Sequence, residues 1–291
     1  MKQSAGYDLH CHSRASDGSL APAELVQAAA AAGVRVLALT DHDTLDGLKE
    51  ARQAADNTGV RLINGVELTC HWKRRVIHLL GLGIDPQAPG WQAYLQGLRA
   101  LREGRAEKIA GKLVARGLPD LLEEAREVAG AAPVGRPHFA QAMLNRGLVA
   151  TPQQAFDSWL GQGQVGDVKA QWPDLAEAVH QIKSAAGYAL IAHPTKYNMT
   201  FTRLRALVAD LLAAGGDGIE VSYPGVTPNH LRDLLQLADR QSLWVSAGSD
   251  FHSPSQRWTA LGRFAGFSSE RHLLKRLCPE HSDLLDKAGR L

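Results

Sequence analysis

Short apolar runs alternate with longer, more polar segments along most of the chain. The runs are rich in Val, Ile, Leu and Ala and end in polar residues, which is typical of buried strands. The segments between them are long enough for helices, and two of them end at a glycine, a frequent helix stop. The predicted strands cover residues 7–12, 34–39, 60–68, 75–83, 188–194, 218–223 and 243–250.

The helical segments fall between these strands, which predicts parallel βαβ units. The predicted helices of this kind cover residues 22–32, 45–57, 175–186, 201–214 and 228–240. Seven strands, most of them followed by a helix, predict an α/β fold of the (β/α) barrel type, one unit short of eight. In such a barrel the chemistry lies at the carboxyl ends of the strands.

The alternation is interrupted between about residues 91 and 174. Residues 92–116 are polar and helical, with no strand beside them, and three shorter helices follow at 121–129, 137–146 and 152–160. We interpret this region as a helical insertion that caps the substrate site. The predicted organisation is a first part of the barrel at 1–98, the insertion at 99–173 and a second part at 174–291.

Composition and charge narrow the class of protein. A chain of 291 residues can bury one large core with an insertion, and a net charge of +2 argues against a protein that coats nucleic acid. Cys11, Cys70 and Cys278 are widely spaced and odd in number, which favours reduced thiols and a cytoplasmic location. The sequence has no signal-peptide pattern and no apolar run of membrane-spanning length, so we expect no membrane association. No obligate protein partner is evident.

Two histidines stand at the end of the first strand. His10 and His12 are two residues apart, so their side chains project from the same face of a strand, while Cys11 points away. Two imidazoles on a rigid strand are two metal ligands at fixed geometry. The alternative is a strand that carries two histidines by chance, and this stretch alone does not decide between them.

The other strand ends decide it, because they carry more residues of the same kind. The candidate ligands are His10, His12, Asp17, His42, Glu67, His78, His193, Asp250 and His252. A barrel would bring these strand ends into one ring. Mixed imidazole and carboxylate ligands suit Mn, Fe or Zn, and nine ligands are too many for one ion. We therefore predict two or three divalent ions that share carboxylate bridges, with Mn²⁺ expected first and Fe or Zn as alternatives.

Four of these segments occur as motifs, in the order Asp8-Leu9-His10-Cys11-His12-Ser13, Leu39-Thr40-Asp41-His42-Asp43, His193-Pro194 and Ser249-Asp250-Phe251-His252. With Gly65-Val66-Glu67, they resemble the motifs of the PHP (polymerase and histidinol phosphatase) superfamily of metal-dependent phosphoesterases. The resemblance implies a distorted, TIM-like (β/α)7 barrel with two or three divalent ions. Asp17 stands where several three-metal members have a histidine, which leaves the number of ions open.

The insertion carries a further segment, Gly135-Arg136-Pro137-His138-Phe139-Ala140. Here the chain is similar to nucleoside 3′,5′-bisphosphate phosphatases, whose relatives also act as 5′-to-3′ exoribonucleases. The resemblance implies that Arg136 holds a substrate phosphate, and a guanidinium is suited to bidentate phosphate binding. The alternative is that Arg136 forms an ion pair between insertion and barrel. His138 is a candidate helper.

The predicted activity is hydrolysis of the 3′-phosphate of nucleoside 3′,5′-bisphosphates, such as 3′-phosphoadenosine 5′-phosphate, by metal-activated hydroxide. His193 or His252 would be the general acid, and Arg136 would hold the uncleaved phosphate. Further candidate substrate contacts are Ser222, Tyr223 and Lys169. The alternatives are a 5′-to-3′ exoribonuclease on short RNA, a histidinol phosphatase, and a non-catalytic metal-binding module.

Other residues are predicted to be structural. The six tryptophans, Trp258 among them, are interpreted as core residues rather than base-stacking platforms. Five histidines away from the strand ends, including His272, are predicted to lie at the surface.

Overall fold

The computed structural model describes residues 5–288, with side chains as far as residue 285. Its centre is a seven-stranded sheet in which the strands follow one another in chain order. The strands are β1 (Tyr7–Asp8), β2 (Val36–Leu39), β3 (Arg61–Trp72), β4 (Arg75–Leu82), β5 (Tyr188–Ile191), β6 (Gly218–Ser222) and β7 (Trp244–Ala247). This arrangement, with helices between most strands, confirms the α/β prediction.

The helices as far as residue 240 lie close to their predicted positions, and the two short helices after it were not predicted. They are α1 (Pro22–Ala31), α2 (Leu48–Thr58), α3 (Trp91–Val114), α4 (Leu122–Ala129), α5 (Arg136–Asn145), α6 (Pro152–Ala155, continued by a π-helix at Phe156–Leu160), α7 (Leu175–Ser184), α8 (Phe201–Ala213), α9 (Pro228–Arg240), α10 (Leu274–Leu277) and α11 (Asp283–Ala288). Short 3₁₀ turns cover Pro194–Tyr197 and Pro279–His281. Asp174, Thr200 and Thr227 begin α7, α8 and α9, and each side chain accepts a backbone N–H of the first turn. Within the described residues no helix has the length and apolar character to cross a membrane.

One strand runs against the others. β4 is antiparallel to both β3 and β5, whereas the other neighbours are parallel. The parallel βαβ units predicted from the alternation therefore do not include β4. Only Lys73 and Arg74 connect β3 to β4, and a two-residue link joins strands only as an antiparallel hairpin. As a consequence, the beginning of β4 lies at the carboxyl ends of the parallel strands.

The sheet curves until its first and last strands meet. No strand ladder pairs β7 with β1 in the described part of the chain, but backbone hydrogen bonds join the two segments. Leu9 N–H donates to Ala247 O at 3.1 Å, and Asp250 N–H donates to His10 O at 2.8 Å. A Cβ at position 248 would lie 2.5 Å from His10 N, so glycine is required where the two segments approach. The fold is a distorted seven-stranded barrel, as the resemblance implied.

The helices of the insertion bury a separate apolar core. Ile109, Leu113, Leu121, Phe139 and Met143 pack together there, apart from the larger core between the sheet and its helices. The boundaries at 98/99 and 173/174 stay a prediction.

His272 belongs to the barrel core, so its predicted surface position is wrong. It is 1% exposed and hydrogen bonds to the hydroxyl of Tyr7 at 3.0 Å. Burial, with a smaller effect of Lys275, lowers the pKa of His272 to about 3.

Candidate metal centre

The structure brings all nine predicted ligands to one end of the barrel. Six strands position them: two histidines follow β1, and Glu67 and His78 lie within β3 and β4. His78 is the fourth residue of β4, so it reaches the site because β4 begins there, and not because a strand ends there. The remaining ligands follow β1, β2, β5 and β7 in loops: Asp17, His42, His193, Asp250 and His252.

Glu67 is the centre of this group. Its Oε1 atom lies 2.9 Å from His193 Nε2 and 3.0 Å from His78 Nδ1. Its Oε2 atom faces three more imidazoles: His42 at 3.1 Å, His12 at 3.3 Å and His10 at 3.4 Å. The carboxylate is fully buried. One carboxylate between five imidazoles has the arrangement expected of a bridging ligand.

Two more carboxylates extend the group on either side. Asp250 Oδ1 lies 3.4 Å from His12 Nε2 and 3.5 Å from His10 Nε2. Asp17 Oδ1 lies 3.4 Å from His252 Nε2. Three subsets place their ligand atoms within 4.8 Å of one another: His12, Asp17, His42 and His252; His10, His12 and Glu67; His42, Glu67 and His78. The ligand atoms thus suffice for more than one ion, and Asp17 takes part although it is not a histidine.

Several buried ligand atoms have no hydrogen-bond partner. They are His12 Nδ1, His42 Nδ1, Glu67 Oε2 and His193 Nδ1. An unsatisfied buried polar group costs about 1–3 kcal/mol, so such atoms rarely occur together without a ligand. Nitrogen and carboxylate oxygen donors are the set that divalent transition ions prefer. These residues therefore fit divalent metal ions.

Burial and neighbouring charges favour the ligating forms of two carboxylates and one imidazole of the group. Burial raises the pKa of Glu67, but the imidazoles of His42, His78 and His10 outweigh it and hold the pKa well below its usual range. The pKa of Asp250 is likewise held well below its usual range, where His10 and its neighbours outweigh burial. Burial holds the pKa of His42 well below its usual range against the opposing carboxylates. Anionic carboxylates and a neutral imidazole are the forms that bind metal.

Comparison with known proteins shows which proteins this chain resembles. Residues 8–131 match the model of the PHP domain family. A protein of Haemophilus influenzae named 5′-3′ exoribonuclease is 46% identical over 88% of this chain and 93% of its own length. A 3′,5′-nucleoside bisphosphate phosphatase of Chromobacterium violaceum is 41% identical over 87% of this chain and 89% of its own length.

This chain belongs to the PHP family. A solved structure described as an amidohydrolase from Chromobacterium violaceum, with bound sulfate and no metal, agrees with it at a TM-score of 0.88. The two are 38% identical, and the match covers 94% of this PHP protein and 95% of the other chain.

Arg136 begins α5 and lies within the insertion. Its Nη1 atom donates to Leu160 O at 3.0 Å and lies 3.8 Å from Asp167 Oδ1. Both partners belong to the insertion, so these contacts of Arg136 do not form the ion pair between insertion and barrel that was the alternative. His138 makes the connection to the barrel instead, because its Nε2 donates to Ser16 O at 3.1 Å. His138 Nδ1 accepts Gly135 N–H at 2.9 Å, so both ring nitrogens are engaged with backbone.

The remaining predicted substrate contacts lie differently. Ser222 is buried and donates to Ala265 O at 2.6 Å. Tyr223 is 1% exposed, and its hydroxyl accepts the N–H of Thr195 at 2.9 Å. Neither hydroxyl needs a substrate to be satisfied, and we leave both out of the proposed site. Lys169 lines a cavity whose walls come from the insertion and include no ligand of the centre.

Sequence reasoning did not single out two arginines of α3. Arg102 Nε donates to Asp43 Oδ2 at 2.7 Å and its Nη2 donates to Thr69 Oγ1 at 3.1 Å. Asp43 follows His42, so Arg102 reaches the edge of the metal centre. Burial and the charges of Arg136 and Arg102 lower the pKa of Arg105 to about 10. Arg102, Arg105 and Arg136 are here called the arginine cluster. Their positive charges repel one another, and Arg102 is the member that reaches the edge of the metal centre.

Sequence reasoning also missed Glu220, which lies in β6 and is fully buried. Its Oε1 lies 3.1 Å from His10 Nδ1, and its Oε2 accepts His193 N–H at 2.7 Å. Metal-ligating histidines commonly donate their second ring nitrogen to a carboxylate, which fixes ring orientation and tautomer. The only sequence signal was a charged residue within an otherwise apolar strand.

Replacing Glu220 by Gln is expected to weaken metal binding roughly 10- to 100-fold, the usual effect of losing such a partner. The amide keeps the shape but not the charge that orients the His10 ring. Titration of metal-depleted protein with Mn²⁺ measures the change. Asp217→Asn is the matched control, since Asp217 precedes the same strand at its other end and pairs with Lys183 at 2.8 Å. Equal Mn²⁺ affinities for Glu220→Gln and wild type would contradict the assignment.

Proposed function

We propose that this protein hydrolyses the 3′-phosphate of nucleotides that also carry a 5′-phosphate, such as 3′-phosphoadenosine 5′-phosphate. The observation that carries the proposal is the arginine cluster beside a nine-ligand metal centre. The metal centre suits the phosphate that reacts, and the arginine cluster suits one that does not. A relative at 41% identity is named for this substrate class, which supports the proposal.

The chain's own side chains hold the ions and position the substrate. We propose Mn²⁺ as the ion, with Fe or Zn as alternatives, because mixed imidazole and carboxylate ligands suit these metals. When bound, divalent ions supply charge stabilisation at the phosphate and make water nucleophilic near neutral pH. The general acid stays a prediction, because both candidates, His193 and His252, also belong to the nine candidate ligands, and a ring nitrogen that ligates an ion carries no proton to donate.

The arginine cluster holds the 5′-phosphate. Arg102 is fixed by Asp43 and Thr69, so its charge keeps one place beside the centre. Asp167 lies 3.8 Å from Arg136 Nη1, which is longer than a hydrogen bond, so this carboxylate occupies no hydrogen-bond donor that a phosphate would need. A dianionic phosphate would relieve the repulsion within the cluster and accept charge-assisted hydrogen bonds.

The test compares three nucleotides on the Mn²⁺-loaded protein. Phosphate release from 3′-phosphoadenosine 5′-phosphate is expected to exceed that from 3′-AMP by roughly 10- to 100-fold in kcat/KM, the effect of one or two charge-assisted hydrogen bonds. 5′-AMP is expected to be a poor substrate because it lacks the 3′-ester. Equal values for the first two nucleotides would refute the role of a second phosphate.

A second candidate function is 5′-to-3′ exoribonuclease activity. Relatives at 46% and 38% identity carry that name. The specific observation in its favour is an open cavity of about 360 Å³ beside His252 and Asp250. A 5′-phosphorylated, labelled oligoribonucleotide that shortens from its 5′ end would support this function.

A further inference from the structure

Trp258 is the most exposed large hydrophobic residue in the described part of the chain. Its side chain is 70% accessible, so the prediction of a core position is wrong for this tryptophan. It follows β7 in a loop and lines the 360 Å³ cavity together with His252, Asp250 and Lys196. The remaining walls of this cavity are Pro224, Gly225, Gln256 and Thr259. A cavity of this size is in the range of small-ligand pockets.

The cavity lies across the metal centre from the arginine cluster. Its walls come from the segments after β5, β6 and β7. The cluster instead reaches Asp43, after β2, and Thr69, in β3. In a ring of seven strands taken in chain order, these two groups of strand ends face each other. A substrate held at both places must therefore pass over the metal centre.

The chemistry of the cavity suits a nucleobase next to a phosphate. An exposed indole offers a flat face on which any base can stack. Lys196 forms an ion pair with Asp250 in the same cavity and contributes positive charge near the place that a nucleotide phosphate would occupy. Single exposed apolar residues are common on protein surfaces, but this one adjoins two ligands of the centre.

The 5′-to-3′ direction of the bound nucleotide then determines which base lies near Trp258. The arginine cluster holds the 5′-phosphate of the first nucleotide, and its 3′-phosphate lies at the metal centre. A group esterified to this 3′-phosphate through a second oxygen extends away from the arginine cluster, towards Trp258. A bisphosphate has nothing there, whereas a nucleic acid strand has its second nucleotide.

We propose that Trp258 stacks on the base of the nucleotide that follows the scissile phosphate, so that the site accepts the 5′ end of a strand. The inference rests on the proposed function, because the same P–O3′ bond breaks in both substrates. Water adds its hydroxyl to phosphorus, and the 3′-oxygen leaves with a proton. The shortened strand keeps a 5′-phosphate, which the arginine cluster can bind in the next cycle.

Three substrates test the stacking. They are 3′-phosphoadenosine 5′-phosphate, the 5′-phosphorylated dinucleotide pApA, and the same dinucleotide with 1-deoxyribose in place of the second nucleoside. Trp258→Ala is expected to lower kcat/KM for pApA roughly 10- to 100-fold, the usual effect of losing one base–aromatic stack. It should leave the bisphosphate within twofold of wild type and reduce pApA to the level of the abasic dinucleotide. Trp258→Phe should retain most of the activity on pApA because it keeps an aromatic face.

Binding is measured separately from turnover. A pApA analogue with a non-hydrolysable linkage is expected to quench tryptophan fluorescence in the wild type and in Trp244→Phe, and to lose this quenching in Trp258→Phe. Trp244 is the matched control, since it begins β7 at the other end of the barrel and lies against Tyr188.

Two results would overturn the inference. One is a loss in Trp258→Ala that is equal for the bisphosphate and for pApA, which indicates a structural role or stacking on the first base. The other is unchanged activity on pApA. If the wild type hydrolyses the bisphosphate but not pApA, the inference fails while the proposed function stands. If neither is hydrolysed, the proposed function fails, and quenching by the analogue still reports on stacking.

Discussion

Glu67→Gln is expected to lower kcat on 3′-phosphoadenosine 5′-phosphate on the order of 1,000-fold, since metal ions contribute several kcal/mol to such reactions. Glu67 lies between five imidazoles, and its Oε2 has no hydrogen-bond partner. An amide keeps the volume but removes the negative charge that two ions would share. Phosphate release at saturating Mn²⁺, together with the metal content of the purified variant, measures the effect.

The control for Glu67→Gln is Glu270→Gln. Glu270 is exposed and pairs only with Lys275 among the contacts that the structure describes. This variant should keep wild-type kcat and metal content. A Glu67→Gln protein that is folded, fully metal-loaded and more than a tenth as active as wild type would contradict the bridging role.

Arg136→Ala is expected to lower kcat/KM for 3′-phosphoadenosine 5′-phosphate roughly 10- to 100-fold, because it removes charge-assisted hydrogen bonds to the 5′-phosphate. The same change should leave 3′-AMP nearly unaffected, since that nucleotide has no 5′-phosphate for Arg136 to bind. The two kcat/KM values, measured side by side, give the change in preference. Arg136→Lys should recover part of the loss, because lysine keeps the charge without the bidentate geometry.

The control for Arg136→Ala is Arg126→Ala. Arg126 also lies in the insertion, but it faces solvent and pairs with Glu103 and Glu123. Its loss should change neither substrate. If Arg136→Ala impairs both nucleotides equally, its contacts with Leu160 and Asp167 serve to hold the insertion together, and the phosphate role is refuted.

The local pattern of the chain predicted most of the fold. Helix α9 has the bounds that the sequence indicated, and its cap and first-turn proline explain why. The direction of β4 was not evident from hydrophobicity, because a buried strand has the same apolar pattern in either direction. The two-residue link after Trp72 determines that direction, and it also places His78 at the site.

Residues that act through distant partners were harder to find. Glu220 is 210 residues from His10, and Arg102 is 59 residues from Asp43. Arg102 stands in no local pattern that distinguishes it from other basic residues, and Glu220 is distinguished only as a charged residue in an apolar strand. Burial was also hard to predict from the sequence. Trp258, in a loop, proved exposed, and His272, away from the strand ends, proved buried.

The sequence by itself determined the α/β class, the helical insertion and the set of nine candidate ligands. Periodicity and spacing are local properties, and parallel strands of one sheet place their carboxyl ends together whatever their order. His78 is the exception, since it reaches the site from the beginning of antiparallel β4. Only the tertiary structure decided that Glu67 is the centre of that set. Only it placed the arginine cluster and Trp258 on opposite sides of the metal centre. Those relations depend on how the barrel closes and where the insertion packs, and no short segment of the sequence determines them.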